Sequence, residues 1–189
     1  MVLEQQAPKT LAAFEAFVRR AENLDKHLEW INGEVVEVPS NPYVSVIASR
    51  IITFINIFLM RENGLSGYVS GEGGGFVIEG QVFAPDVAYM ASLPTDQGFE
   101  PSPPLLAVEV ISDPHSNTEQ GQLRRKLMYY QRAEVLVWIV DYMARQVEVH
   151  TPNESSYILG NDDRLTGGKV LPSFELPVKD IFPEEDASQ

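Results

Sequence analysis

The chain has 189 residues, the length of one domain or of one domain with an elaboration, and at that size it buries roughly 70% of its unfolded surface without staples or metal. Hydrophobic residues make up 44% and charged residues 22%, which excludes wholesale disorder, and the absence of cysteine excludes a disulfide framework, a thiolate metal site and a cysteine nucleophile. Lys and Arg number 14 against 27 Asp and Glu, a net charge of −13, so any contact with nucleic acid needs a local basic surface, a metal or a partner, whereas cation binding suits the sum.

Met1 to Lys9 is polar and does not read as a secretory signal. Leu11, Phe14, Phe17, Val18 and Ala21 recur at helical spacing behind a potential N-cap, Thr10, and predict a short amphipathic helix. Residues 27–38 follow as a strand pair about an Asn32-Gly33 turn. Residues 43–63 read as a long buried helix, with Pro42 near its start and Gly64 past its end. Its apolar stretch is broken by Ser45, Ser49, Arg50, Thr53 and Asn56, too short and too interrupted for a membrane span. A cytoplasmic protein with no membrane partner is the expectation. The same helix is apolar on nearly all sides, which points to cover by a second subunit, a homodimer.

Short strands are expected at 67–71 and 75–78, a turn at Glu79-Gly80-Gln81, and one further strand from Val82 to Met90 interrupted at Pro85. Residues 92–104 read as a surface loop. Leu105 to Ile111 is a nearly continuous apolar run, as in a strand buried on both faces, interrupted by Glu109 alone. Ser116 and Glu119 form a capping-box pattern opening a helix to about Ala133, and residues 135–141 make another buried strand. A hairpin partner at 146–150, small strands at 157–159 and beyond, and an acidic tail over 183–189 complete the chain. The link from 105–111 through the helix to 135–141 has the length of a right-handed parallel β-α-β crossover. The expected architecture is an α/β sandwich: a central mixed β-sheet flanked by helices, with extra β-hairpins, in one domain over 1–182.

Asp86 follows Pro85, which cannot donate to a central ladder and so marks an edge or bulge where a side chain can enter a cleft. Glu109 sits inside the most apolar strand, where a carboxylate must be matched by a cation, a metal or a proton. Two carboxylates from neighbouring strands suit a hard divalent ion such as Mg²⁺. On an ideal helix with Leu123 at zero, Leu127 falls at about 40° and Tyr130 at about 340°, while Lys126 falls at about 300° on the flank of this buried stripe. Arg125 and Arg132 fall on the opposite side. A lysine there can stabilise developing charge or orient a water in phosphodiester hydrolysis, or it can simply pair with Glu109 or Glu119.

The succession NGEVVEV, GFVIEGQVFAPDVAYM, PLLAVEVIS, RRKLMYYQRAEVLVWIVD, VEVHTP and GKVLPSFELPVKDIF, spread over about residues 10–182, resembles the Uma-two family. These are bacterial proteins assigned as restriction endonucleases of the PD-(D/E)XK nuclease superfamily. The resemblance implies a restriction-endonuclease-like fold, a Mg²⁺ site at the sheet (with Mn²⁺ as a substitute) and DNA as a partner. Pro85 and Asp86 match the PD, Glu109 matches the acidic residue of the second element, and the carbonyl of Val110 would face the metal. The lysine of that element falls on Ile111, so the resemblance implies that the following helix supplies it, as Lys126. Glu34 resembles a further acidic position. Two other departures are Val44, where many relatives carry histidine, and a longer loop containing Asp113-Pro114-His115.

Other signals are weaker. Gly71 to Gly75 lacks the Lys-Ser/Thr of a phosphate-binding loop and reads as a turn, and His27, His115 and His150 lack metal-ligand spacing. Tyr129, Tyr130 and Trp138 have core spacing, and Arg124, Arg125 and Arg132 form the densest cationic patch, which reads as a solvated face. The expectation is a Mg²⁺-dependent deoxyribonuclease using Asp86, Glu109, Lys126 and Glu34. The alternatives are a non-catalytic interaction or scaffold protein on a nuclease-like fold, and hydrolysis of a small nucleotide at the same site.

Overall fold

The computed structural model describes residues 8–38, 41–61, 65–95 and 97–184. In chain order the elements are α1 (Leu11–Val18), β1 (Leu28–Ile31), β2 (Glu34–Glu37), α2 (Pro42–Arg61), β3 (Tyr68–Gly71), β4 (Phe76–Ile78), β5 (Gln81–Phe83), β6 (Val87–Met90), β7 (Leu106–Ile111), α3 (Asn117–Arg132), β8 (Leu136–Asp141), β9 (Gln146–His150), β10 (Tyr157–Leu159), β11 (Arg164–Gly167) and β12 (Leu171–Pro177). α1 ends three residues earlier than its periodicity suggests, and Ala21–Asn23 form a separate 3-10 turn. The tail expected over 183–189 lies outside the described residues from 185 onward.

A six-stranded sheet, ordered β10-β9-β8-β7-β6-β3, is the centre of the molecule. β7 and β8 are parallel, with Glu109 beside Ile139, and the other pairings are antiparallel, giving the mixed sheet and the β-α-β unit expected. The other sheets are a four-stranded one, β2-β1-β5-β4, and the β11-β12 hairpin.

The 82–90 segment differs from its expectation in one respect. It is two strands in two sheets, since β5 pairs with β1 and β4 while β6 pairs with β7 and β3. Pro85 is the physical reason. Lacking an N–H, it ends one ladder, and the chain passes from the small sheet to the large one across Ala84-Pro85-Asp86. The hairpins at Asn32-Gly33 and Glu79-Gly80 have positive φ at both turn residues, the backbone that matches strand twist in a two-residue loop.

The large sheet is covered on both faces. Val108, Val110, Trp138 and Val140 pack under Ile47, Ile51 and Ile55 of α2 and under Leu165, Phe174 and Leu176 of the β11-β12 hairpin. Ala107, Ile111, Val137 and Ile139 face Tyr130 of α3 together with Ile31, Ile78 and Phe83 of the small sheet. Strand alternation puts Glu109 on this second face. Contrary to both expectations for it, α2 is long and apolar enough to cross a membrane by length and composition and is buried only along one stripe, Val44, Ile47, Ala48, Ile51 and Ile55. Its N-terminus follows from sequence: Pro42 occupies the first position and the Asn41 side chain accepts the Tyr43 N–H at 2.9 Å.

Candidate functional site

A cleft of about 380 Å³ opens where β6, β7 and α3 meet the small sheet, and Asp86, Glu109, Val110, Lys126, Glu29 and Glu72 are among its lining residues. Asp86 enters because the strand break at Pro85 frees its position from both ladders. Its Oδ2 accepts the Val110 N–H at 2.6 Å, tying the PD segment to β7, and its Oδ1 has no protein hydrogen bond among the described residues. Burial pushes the Asp86 carboxyl up to about 6, against the pull of the Val110 N–H and the Lys126 ammonium, and Glu72 and Glu29 add to the rise.

Lys126 lies beneath. Its relative exposure is 6%, beside 8% for Glu109 and 2% for Glu29, so the three charges are a buried group. Lys126 Nζ donates to Glu109 Oε2 and to Glu29 Oε1, each at 2.8 Å. Tyr130 completes Glu109 by donating its hydroxyl to Oε1 at 2.7 Å. Burial works against the ammonium, yet Glu109 and Glu29 together hold its pKa above the ordinary lysine range. Burial also pushes Glu109 up, opposed by Lys126, and keeps Tyr130 a neutral donor, with Glu109 and Glu29 reinforcing it. Tyr130→Phe leaves one oxygen of a buried carboxylate without its donor. We expect a loss of about 1.5–3 kcal/mol, read by urea unfolding at pH 8; an unchanged midpoint would mean that water replaces the hydroxyl.

The structure thus brings Asp86, Glu109, Val110 and Lys126 together. The helical-wheel reading of α3 agrees with it: Lys126 and Tyr130 are buried, Leu123 and Leu127 half-buried, Arg125 and Arg132 exposed. The two readings of Lys126, cleft cation and ion-pair partner, turn out to be compatible, since it pairs with Glu109 and lines the cleft. Glu119 is not its partner. Instead Glu119 accepts the N–H groups of Ser112 (2.6 Å) and Asp113 (2.9 Å) and the Ser112 hydroxyl (3.0 Å), holding the loop before α3, while Ser116 caps the helix by accepting the Glu119 N–H.

Glu34 does not line this cleft. It begins β2 on the exposed side and pairs with Arg125 at 3.2 Å, where both side chains are largely solvated. The small sheet lines the cleft with Glu29 and Glu37, and of these Glu29, five positions before Glu34 and not among the expected site residues, reaches Lys126. The signal was present: in Leu28–Ile31, Glu29 alternates with Trp30 and shares a face with Ile31, so a carboxylate sits within an otherwise apolar strand, as at Glu109. Val44 lines the cleft mouth, whereas His115 is exposed on the loop. Trp138 is core, and the Gly71–Gly75 segment is the connection between β3 and β4.

The donor set fits a divalent ion. Around Lys126, Glu29, Asp86 and Glu109, when ionised, leave two negative charges against the one ammonium, and Glu37, Glu72, Asp113 and Glu119 line the same cleft. Burial is the main reason the Asp86 carboxyl is raised, so an ion that neutralised it there would favour the charged form. Among the described residues no three Asp, Glu or His side chains are arranged to hold an ion by themselves. The fit is therefore to two carboxylates and a backbone carbonyl with water filling the remaining positions, the arrangement Mg²⁺ favours.

The mixed sheet with its one parallel β-α-β unit, flanking helices and extra antiparallel sheets has a nuclease-like fold. The chain belongs to the Uma2 family, described as "putative restriction endonuclease", whose model matches residues 14–179. Among solved structures it is similar to a protein described as a putative nuclease belonging to DUF820 from Anabaena variabilis ATCC 29413, with TM-score 0.69 and 17% identity over 82% of this chain and 89% of that one. No curated protein matches.

Proposed function

We propose that this protein is a Mg²⁺-dependent endonuclease that hydrolyses phosphodiester bonds in DNA. The observation that carries the reading is the convergence of Asp86, Glu109 and the buried Lys126 on one cleft. Asp86 and Glu109 would hold the ion, with the Val110 carbonyl beside them; Mn²⁺ would substitute. When bound, the ion would polarise a phosphate oxygen and acidify a water. Lys126 would donate to the scissile phosphate as negative charge builds there, a role suited to an ammonium kept protonated by its carboxylate neighbours. Tyr130 holds the Glu109 carboxylate in orientation. The cleft has no other cation among its lining residues, so the protein reaches a polyanion through its metal and through surfaces away from the cleft.

We further propose a cytoplasmic homodimer. α2 leaves Val46, Ile57 and Met60 exposed beside Ser45, Ser49 and Thr53, a face that a second copy would cover. Light scattering on the purified chain reads this directly, and a monomer at tens of micromolar overturns it.

Nicking of supercoiled plasmid with Mg²⁺ and its loss in EDTA tests the activity. Metal binding has its own signature. Because the folded-state pKa of Asp86 lies above its unfolded value, the metal-free protein takes up a proton on folding between about pH 4 and 6. The stability this provides is present at low pH and lost as pH rises through about 6. Mg²⁺ needs the ionised carboxylates, so its stabilising effect runs the other way. We expect the Mg²⁺-induced rise in Tm to be small at pH 5 and large at pH 8. A rise equal at both pH values places the ion elsewhere, and no rise at millimolar Mg²⁺ removes the metal from the reading. The scaffold alternative then gains ground, since the buried ion-pair network would be purely structural.

A further inference from the structure

We infer that Glu29 is a positioning residue that aims the Lys126 ammonium into the cleft and ties it to the segment carrying Asp86. The inference rests on the proposed hydrolytic site and adds a residue to it. Glu29 Oε1 makes two contacts at once: it accepts the backbone N–H of Ala84 at 2.7 Å and the Lys126 Nζ at 2.8 Å. Ala84 stands two residues before Asp86, at the point where the chain leaves β5 for β6. One oxygen thus joins three elements, the strand β1, the Ala84-Pro85-Asp86 crossing and the helix α3.

An ammonium has three N–H donors in tetrahedral array. Glu29 takes one and Glu109 a second, which fixes the direction of the third. With Glu109 alone, the lysine would rotate about a single contact. Glu29 is therefore what converts a paired lysine into an oriented donor. The ring of Phe83, 5.9 Å from Nζ, closes off one further side. Glu29 also lines the cleft, and its Oε2 has no hydrogen bond to protein among the described residues; the two contacts of Oε1 are what tie it to the lysine and to the Ala84 crossing, and Mg²⁺ affinity in its variants separates that role from metal ligation.

Two variants separate this role from charge balance and from metal ligation. Glu29→Gln keeps the reach and an accepting oxygen for both donors but loses the charge. Glu29→Asp keeps the charge but is one methylene too short to span them. Orientation predicts that kcat falls in the order wild type, Glu29→Gln, Glu29→Asp, with the Asp variant down by about 10- to 100-fold. Mg²⁺ affinity, measured by calorimetry, stays at the wild-type value in Glu29→Asp and falls far less in Glu29→Gln, which loses only a neighbouring charge, than in Asp86→Asn. A readout independent of turnover is the ¹⁵N signal of the Lys126 ammonium in metal-free protein. As a buried, hydrogen-bonded group it gives a slowly exchanging resonance, expected to persist in Glu29→Gln and to be lost in Glu29→Asp. Loss of Mg²⁺ affinity in Glu29→Gln to the extent seen in Asp86→Asn would make Glu29 a ligand and overturn the inference. Both variants cleaving at the wild-type kcat, or an unchanged ammonium signal in Glu29→Asp, would overturn it as well. If the wild-type protein cleaves no phosphodiester, the hydrolytic reading fails while the ammonium signal still decides the role of Glu29.

Discussion

Asp86→Asn is expected to abolish Mg²⁺-dependent nicking while leaving the fold intact. Asparagine has the same shape, and its carbonyl oxygen can still accept the Val110 N–H that Asp86 holds at 2.6 Å. What disappears is the negative charge that the proposed ion would meet. Removing a metal carboxylate forfeits several kcal/mol of transition-state stabilisation, and roughly 4 kcal/mol corresponds to a loss of about 10³-fold in rate. At pH 8 in EDTA the variant should melt at or slightly above the wild-type temperature, because burial disfavours the Asp86 charge. With Mg²⁺ the pH-dependent rise in Tm should vanish. Glu34→Ala is the control: its pair with Arg125 is exposed, is worth less than about 1 kcal/mol, and should affect neither rate nor melting. Wild-type nicking by Asp86→Asn would sink the assignment of the metal to this cleft.

The contrast between Glu34 and Glu29 shows how far the site could be read from sequence. Glu109 was legible because it interrupts a six-residue strand buried throughout, and Lys126 because a sixteen-residue helix has a defined face. Both arguments use periodicity over a long element. β1 has four residues, too few for alternation to stand out beside a turn signal as strong as Asn32-Gly33, and Glu34 entered through the family resemblance alone, not through a pattern that would have weighed the carboxylate inside the strand. The 82–90 segment shows the same limit. Pro85 was recognised as a break, but which sheet each half joins depends on long-range pairing that no local pattern encodes. That Glu29 meets Lys126 depends on the small sheet docking over α3, a contact between residues 97 positions apart.

Lys126→Met should be the most destabilising single change in the site. Methionine fills a similar volume, so packing is largely kept, and the effect isolates the charge. Without the ammonium, Glu29 and Glu109 are left close together, buried, with no cation between them. Removing one member of a buried ion pair costs about 3–5 kcal/mol because the remaining charge keeps its desolvation penalty. In a chain of this length that is a fall in Tm of roughly 10 °C. The deficit has a direction in pH. The orphaned carboxylates take up protons in the folded state, so the variant should recover toward wild-type stability as pH falls from 8 to 5. Adding Glu29→Gln to Lys126→Met removes one of the two facing charges and should restore part of the loss, a positive coupling in a double-mutant cycle. A Lys126→Met protein that melts with the wild type at pH 8 would mean that water reaches these carboxylates and that the three charges are not the buried unit on which both the hydrolytic reading and the role of Glu29 depend.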